Sequence, residues 1–284
     1  MAQVFNHLIV DAGATKTHFV LLCGGKVVAE HKFAGINANY SDNSEITGVF
    51  SSAVSALPRG MHYDRIDYYG AGCATPLNAS RISGLLQLFF PLSDICVHSD
   101  LLAACRALAG RETAIVCILG TGSTSCLYDG NDMAQRAPSL GYLLGDEASG
   151  THLGKMIIKE YLSHNLPPDI ESDLETTYNL SVESTLRKLY QEDHPNRFLA
   201  SLPPFLSKYK NNEVIKDILS SSFEEFFNTN RKYYDGIDQL SWHFTGSIAE
   251  HFREELCSAA KKTSCKIGNI VADPMPLLIK YHSA

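Results

Sequence analysis

The stretch that decides the fold is Leu8-Ile9-Val10-Asp11-Ala12-Gly13-Ala14-Thr15-Lys16-Thr17-His18-Phe19-Val20-Leu21-Leu22. An apolar run ends on Asp11, a turn of small and hydroxyl residues follows, and a second apolar run leads to Gly24. This pattern predicts a β-hairpin. Small residues let the backbone approach an anion and direct its N–H groups at it, so the turn is a candidate phosphate cradle. Short turns of this composition also occur in ordinary hairpins.

A second copy of the pattern lies in residues 115–130, around the turn Gly120-Thr121-Gly122-Ser123-Thr124. The first and last residues of this turn match those of Gly13-Ala14-Thr15-Lys16-Thr17. Two such hairpins, one opening each half of the chain, predict two lobes that bind one nucleotide. Neither a G-x-G-x-x-G nor a Walker A sequence occurs, so the Rossmann and P-loop classes lose their main support.

Composition narrows the class of protein. The chain has 284 residues, enough for one large domain or two lobes, and a net charge of −7, which argues against nucleic acid or a membrane surface as a partner. It has no signal-peptide pattern and no apolar run of about 18 residues. Its eight cysteines form no C-x-x-C pair and lie mostly in apolar runs. We therefore expect a reduced, cytoplasmic protein without zinc or disulfides.

Strands and helices alternate along the chain, which predicts an α/β fold. The first half is predicted as βββαβαβα. The second half repeats the hairpin, then is expected to have a loop over 130–147, a helix over 149–164 and further helices over 165–239. The remaining elements are predicted as a strand over 240–245, a helix from 247 to about 262, a strand over 265–272 and a helix over 276–281.

These elements predict an N-terminal lobe over 1–110 and a C-terminal lobe over 111–273, with residues 274–284 able to join the first lobe. The helical insertion at about 165–239 carries no chemical signature. It is open whether this insertion forms a dimer face or a cap over the substrate.

Several motifs in fixed order resemble the N-acetylglucosamine kinase and BadF-type ATPase branch of the superfamily that contains sugar kinases, Hsp70 and actin. The resemblance covers nearly the whole chain and implies a two-lobed, actin-like (ribonuclease H-like) fold with a nucleotide cleft between the lobes. The motifs are Asp11-Ala-Gly-Ala-Thr-Lys-Thr17, Gly35-Ile-Asn37, Ser99-Asp100, Gly120-Thr-Gly-Ser123, Gly141-Tyr-Leu-Leu-Gly-Asp-Glu-Ala-Ser-Gly150 and Phe244-Thr-Gly-Ser-Ile248.

The resemblance implies that Asp100 is the catalytic base toward a sugar hydroxyl. From the residues alone, Asp100 follows a strand and begins a helix, where an aspartate also serves as a plain N-cap. The resemblance further implies that Asp11 holds Mg²⁺, through water, and that ATP is the phosphate donor. The residues implied in ATP and phosphate binding are Gly13, Thr15, Lys16, Thr17, Thr121, Gly122, Ser123, Gly246 and Ser247.

The implied sugar ligands are Asn37 or Asn39, Gly141, Asp146 and Glu147. The asparagines can also simply shape a turn, and the acidic pair can be a solvated loop charge. Two departures from the family stand out. Ser139-Leu140-Gly141 replaces the Gly-Trp-Gly of the mammalian enzymes, and Ser247 stands where the family has a second glycine.

The expected function is an ATP-dependent sugar kinase that phosphorylates a hydroxyl, the 6-hydroxyl in this branch, of N-acetylglucosamine or a related amino sugar. One alternative is a BadF-type activator ATPase, which needs exposed thiolates for an iron–sulfur cluster. Another is a regulator that binds sugar or nucleotide without catalysis. A small-molecule sugar is the expected partner, and relatives of this kind are often homodimers.

Overall fold

The computed structural model describes residues 4–234, 236 and 239–283. Residues 1–3 and 284 of the predicted N-terminal lobe, and residues 235, 237 and 238 of the predicted insertion, lie outside the described residues. The chain divides into two compact units. The first unit comprises Met1–Gly110 and Pro274–Ala284, and the second comprises Arg111–Asp273.

Ten strands are found in the described part of the chain. They are β1 (Asn6–Ala12), β2 (Lys16–Cys23), β3 (Lys26–Ala34), β4 (Arg65–Gly70), β5 (Asp94–Ser99), β6 (Ala114–Leu119), β7 (Ser123–Tyr128), β8 (Met133–Arg136), β9 (Ser241–Thr245) and β10 (Lys266–Val271).

The helices are numbered in the same way, and a short 3₁₀ turn covers Arg231–Tyr233. They are α1 (Asn43–Ala56), α2 (Pro76–Phe89), α3 (Asp100–Leu108), α4 (Gly141–Leu144), α5 (Gly150–Leu162), α6 (Pro168–Tyr178), α7 (Val182–Tyr190), α8 (Pro195–Ala200), α9 (Pro203–Lys208), α10 (Glu213–Asn230), α11 (Ser247–His251), α12 (Arg253–Lys262) and α13 (Met275–His282).

The first unit is built on the sheet β3-β2-β1-β4-β5, in which β1, β4 and β5 are parallel and the first three strands form an antiparallel meander. Leu8, Ile9 and Val10 of β1 are fully buried, as a central strand covered on both faces requires. A capping box at Asp42 and Glu45 fixes the start of α1, which packs Phe50 into the core. The predicted βββαβαβα order is confirmed here.

The second unit repeats this topology in the sheet β10-β9-β6-β7-β8. Its core is larger because helices α6 to α10 are inserted between α5 and β9. Phe226 and Phe227 of α10 meet Trp242 and Phe244 of β9, with ring centroids 5.3–6.4 Å apart. The predicted α/β fold with a duplicated unit is therefore confirmed.

Two local predictions are wrong. Residues 130–147 are not entirely loop, since they contain the edge strand β8 and the single-turn helix α4. The four residues of β8 lack an apolar run, and pairing with β7 makes them a strand. The helix expected from 247 to about 262 is two helices, because Phe252 between them has φ −110° and ψ 37°. No helix among the described residues combines the length and apolarity that a membrane span needs.

Candidate functional site

The first hairpin turn exposes Ala14, Thr15 and Lys16 at its tip and is closed by a hydrogen bond from the Gly13 N–H to the Lys16 carbonyl (2.9 Å). Residue 35 must be glycine here, since a Cβ at Gly35 would lie 2.4 Å from the Ala14 carbonyl oxygen. The segment after β3 thus packs directly under the turn. The predicted phosphate ligands Gly13, Thr15 and Lys16 remain accessible on this turn, whose backbone packs against Gly35.

Thr17 is placed differently from the sequence-based expectation. Its side chain is fully buried, and its hydroxyl has no hydrogen-bond partner within the described residues. The reason is that β2 lies between β1 and β3 in the sheet, and every residue from Thr17 to Leu22 is buried. This placement does not support the predicted contact of the Thr17 hydroxyl with phosphate.

Asp100 is the first residue of α3, and the capping of this helix is done by its neighbour. The Ser99 hydroxyl accepts the Leu102 N–H (3.3 Å), so Ser99 is the N-cap. The Asp100 carboxylate accepts the adjacent Leu101 N–H (2.9 Å) and is half-buried. Ser99 therefore serves as the N-cap. Asp100 is a carboxylate at the positive end of a nine-residue helix.

Asp11 and Asp100 belong to the same edge of the first sheet. In register, Ala12 lies opposite Gly70 and Gly70 lies opposite Ser99. Asp11, the next-to-last residue of β1, and Asp100, which follows β5, therefore lie at the carboxyl ends of parallel strands. Burial raises the pKa of the intervening Tyr68, and the charges of Cys73, Asp11 and Asp100 raise it further. The buried Tyr68 hydroxyl has no partner among the described residues.

This edge fits a hydrated Mg²⁺. Carboxylate oxygens are ligands that Mg²⁺ prefers, and the ion usually keeps several of its waters. Asp11 is half-buried at the end of β1, where its carboxylate could serve as such a ligand.

The two candidate sugar asparagines have different surroundings. Asn37 shapes its own loop, because its side-chain oxygen accepts the Asn39 N–H (3.0 Å). Asn39 is exposed, and its side-chain oxygen accepts a hydrogen bond from Asn78 (2.8 Å). Gly72 lies so close that a Cβ there would be 2.8 Å from the Asn37 oxygen. Asn37 thus has the turn-forming role that the residue pattern allowed, and Asn39 has the more accessible side chain.

The second hairpin turn is fixed to the start of α5. The N–H groups of Gly150 and Thr151 donate to the carbonyl oxygens of Gly120 and Thr121 at 2.8 and 3.1 Å. The Ser149 hydroxyl caps the same helix by accepting the His152 N–H (3.1 Å). The first donors of α5 therefore hold the turn itself.

Asp146 meets this turn directly. The Ser123 N–H donates to the Asp146 carboxylate (3.2 Å), and a Cβ at Gly122 would lie 2.9 Å from the other carboxylate oxygen. Burial raises the pKa of Asp146, while the Ser123 N–H and Lys155 oppose that shift. Asp146 and Ala148 have φ of 61° and 58°, a strained conformation for non-glycine residues. Residues predicted for two different ligands thus meet in one place.

A pocket opens beside this contact, within the second unit. Ser123 and Thr124 line it from the turn, and Asp146 and Glu147 line it from the loop. Gly141, a predicted sugar ligand, begins α4 and is not among the lining residues. The structure adds residues that the sequence reasoning missed, since the end of α10 and the following turn contribute Thr229, Asn230 and Tyr233.

The predicted adenosine turn follows β9. Gly246 has φ 111°, and a Cβ there would lie 2.2 Å from the Leu119 carbonyl oxygen at the end of β6. Only glycine permits this approach of the two strand ends. Ser247 is exposed as the first residue of α11, in the place where the family motif has glycine.

A buried polar cluster lies elsewhere in the first unit. Asp67 accepts hydrogen bonds from His7 (2.7 Å), His98 (3.1 Å) and Arg65 (2.7 and 3.2 Å). Its histidines could in principle bind a metal ion. However, the Arg65 guanidinium already neutralises the carboxylate, and these donors occupy both of its oxygens, so the cluster is satisfied without an ion.

Solved structures of other proteins resemble this chain along nearly its whole length. A Porphyromonas gingivalis crystal structure, described as a "Putative N-acetylglucosamine Kinase", is 34% identical, with a TM-score of 0.87 over 97% of this chain and 98% of its own. A Chromobacterium violaceum structure with the same description is 18% identical, with a TM-score of 0.80 over 98% and 99%, and shows the fold.

More distant comparisons agree with this fold. A curated relative, the N-acetylmuramic acid/N-acetylglucosamine kinase of Clostridium acetobutylicum, is 24% identical over 232 residues, which are 77% of this chain and 76% of the relative. The ROK hexokinase of Thermus thermophilus is 12% identical, with a TM-score of 0.51 over 99% of this chain and 98% of its own. No protein-family model matches the chain.

Proposed function

The chain belongs to the N-acetylglucosamine kinase family, and on this premise we propose that it transfers the γ-phosphate of ATP to the 6-hydroxyl of N-acetylglucosamine or a related amino sugar. The observation that carries the proposal is the placement of Asp100. It stands at the start of α3 beside a cap that is already provided by Ser99, on the same sheet edge as Asp11.

In this mechanism Asp100 accepts the proton of the sugar hydroxyl as the oxygen attacks the γ-phosphorus, and ADP leaves as the bond between that phosphorus and the β,γ-bridging oxygen breaks. The positive end of α3 favours the ionised carboxylate, which keeps Asp100 ready as a base. Phosphoryl transfer has a loose transition state, so the residues mainly position the reactants and balance charge. Mg²⁺, when bound, would neutralise charge on the phosphates, and Asp11 would hold it through water.

The hairpin turns would hold the phosphates. Thr15 and Lys16 offer a hydroxyl and a charge at the exposed tip of the first turn. Thr121, Gly122 and Ser123 form the second turn, and Gly246 with Ser247 would lie along the adenosine. Asp146, Glu147 and Asn39 are the proposed acceptors and donors for sugar hydroxyls.

The alternatives draw less support from this chain. A BadF-type ATPase needs accessible thiolates, whereas each of the eight cysteines is buried or half-buried. Burial raises the pKa of Cys73 to about 12, which opposes thiolate formation there. A non-catalytic regulator would have no need of the Asp11 and Asp100 pair.

The test is ADP release from Mg-ATP with N-acetylglucosamine, N-acetylmannosamine, glucosamine, glucose or no sugar. The proposal expects release that depends on an N-acetylated amino sugar. Release of equal size without sugar would favour an ATPase, and no release with any sugar would favour a binding protein.

A further inference from the structure

A lysine of α5 lies beside the loop that carries Asp146, and the proposed function has not used it. Lys155 is half-buried, and its ammonium group donates a hydrogen bond to the carbonyl oxygen of Tyr142. Tyr142 belongs to the single-turn helix α4, in which no residue is buried and no side chain caps the first turn. The contact therefore helps to anchor α4, and it keeps the ammonium group close to the loop that follows.

The same ammonium group attracts carboxylates of that loop. Burial lowers the pKa of Lys155, whereas the charges of Asp146, Glu147 and Glu225 raise it. Burial raises the pKa of Asp146, whereas the Ser123 N–H and the Lys155 charge lower it. Asp146 thus has two attractive neighbours, which are a backbone N–H of the second phosphate turn and an ammonium group of α5.

A histidine on the same face of α5 does not supply this positive charge. Burial and the Lys155 charge lower the pKa of His152 to about 4, and its Nδ1 hydrogen-bonds with the Ser222 hydroxyl (2.8 Å). His152 is therefore uncharged at neutral pH. Because His152 and Lys155 are three residues apart on one helix face, Lys155 is the member of this pair that carries the charge.

The Asp146 carboxylate occupies a position that a phosphate at the second turn would use. It accepts the Ser123 N–H (3.2 Å), and a Cβ at Gly122 would lie 2.9 Å from its other oxygen. A phosphate that accepts this N–H must displace the carboxylate, because two anions at one donor repel each other. Asp146 is half-buried, and a displaced carboxylate in such surroundings is unfavourable unless it finds a cation or donor.

We propose that Lys155 is a positioning residue that receives the Asp146 carboxylate when a nucleotide phosphate binds at the second turn. The carboxylate turns from the Ser123 N–H to the Lys155 ammonium group, which the Tyr142 carbonyl keeps in place. No covalent bond forms or breaks in this step. The inference rests on nucleotide binding at the second turn, which is part of the proposed function, and adds how this site makes room for the phosphate.

Calorimetric titration with Mg-ADP, in the absence of sugar, tests this role. Lys155→Met is expected to weaken binding by about tenfold, because the displaced carboxylate loses its partner. Lys155→Arg keeps the charge and should stay within about threefold of the native affinity. Lys159→Met is the matched control, since Lys159 is exposed one turn further along α5, and this variant should bind Mg-ADP like the native chain.

A double variant separates this role from a direct contact between Lys155 and phosphate. If Lys155 acts through Asp146, then Lys155→Met combined with Asp146→Asn should bind Mg-ADP within about threefold of Asp146→Asn alone. A further loss of about tenfold in the double variant would overturn the inference, as would native affinity in Lys155→Met. If Lys155→Met does not fold, Lys155→Gln carries the same expectation, because it keeps a donor for Tyr142 and lacks the charge.

The outcomes also separate this inference from the proposed function. A native chain that binds Mg-ADP but forms no sugar phosphate would overturn the kinase activity, and the binding measurements would still decide the role of Lys155. A native chain that does not bind Mg-ADP would overturn both the proposed function and this inference.

Discussion

Asp146, a predicted sugar ligand, contacts a residue that is predicted to bind phosphate. Its carboxylate accepts the Ser123 N–H, which is a group proposed to bind phosphate. Two unit charges 4 Å apart repel by about 4 kcal/mol at the effective dielectric constant of a protein surface. A nucleotide phosphate bound at this turn would therefore compete with Asp146, and the carboxylate would have to turn away for the proposed phosphate and sugar ligands to bind together.

This competition predicts the effect of Asp146→Asn on nucleotide binding. Without sugar, the variant should bind Mg-ADP about tenfold more tightly, because a negative charge leaves the phosphate turn while the amide oxygen can still accept the Ser123 N–H. Calorimetric titration measures this affinity. Glu147→Gln is the matched control, since Glu147 has the adjacent charge, and it should change the affinity much less. Equal affinities for Asp146→Asn and the native chain would contradict the competition.

Asp100 is the second residue with a direct prediction. Asp100→Asn should lower kcat by roughly 10²–10⁴, the range for loss of a positioned base, while nucleotide affinity and the unfolding midpoint stay near native. Steady-state kinetics with the preferred sugar measures the effect. Asp94→Asn, at the exposed start of β5 in the same strand–helix unit, is the control and should retain full turnover. A native rate in Asp100→Asn would remove Asp100 from the mechanism.

At the scale of single elements, two helix-interior glycines make opposite predictions. A Cβ at Gly154 in α5 would lie 2.1 Å from the Leu199 carbonyl of α8, whereas a Cβ at Gly84 in α2 would meet nothing within 4 Å. Gly84→Ala should therefore raise the free energy of unfolding by about 0.5–1 kcal/mol. Gly154→Ala should lower it by about 1–3 kcal/mol, because the helices must move apart. Urea denaturation of both variants measures these changes. If the two substitutions shifted the free energy of unfolding in the same direction, the result would contradict the packing described for these helices.

The C-terminal helix α13 predicts a pH effect on stability. His282 hydrogen-bonds with the Tyr69 hydroxyl (2.9 Å), and its ring meets the His7 ring at 4.8 Å. Burial lowers the pKa of His282 to about 4, from 6.5, although Asp67 opposes this shift. Nearby Arg106 and Arg65, like His7, disfavour a charged His282 further.

The sign follows from the lowered pKa. Between pH 6.5 and 4 the unfolded chain binds a proton at His282 that the folded chain does not, so this residue reduces stability as the pH falls through that range. His282→Gln should make the decrease in the free energy of unfolding shallower, measured by urea denaturation from pH 7.5 to 4.5. His62→Gln, at a half-exposed position, is the control. Identical pH profiles for His282→Gln and the native chain would contradict this assignment.

At the scale of the whole molecule, the sequence predicted the features that local patterns determine. The two hairpins and the order of strands and helices follow from apolar periodicity and turn residues. The short edge strand β8 could not be predicted, because its Met-Ala-Gln-Arg sequence becomes a strand only by pairing with β7. The break at Phe252 also depends on tertiary context.

The candidate site divides in the same way. Motif positions such as Asp100 and the second turn could be named from sequence, whereas the contact between Ser123 and Asp146 spans 23 residues and is a product of folding. Thr17 was included in the site because the motif says nothing about side-chain direction. Tyr233 gave no signal, since nothing in its local sequence distinguishes it from other tyrosines of the insertion.

The most direct test of the account is the phosphorus NMR spectrum of the chain with Mg-ATP and N-acetylglucosamine. The account predicts that a sugar phosphomonoester signal grows in step with ADP, and that proton–phosphorus coupling assigns it to the 6-position. The Asp100→Asn variant should form this product far more slowly under the same conditions. Growth of inorganic phosphate without a sugar phosphate, or ATP that stays intact, would contradict the claim that this chain is a sugar kinase.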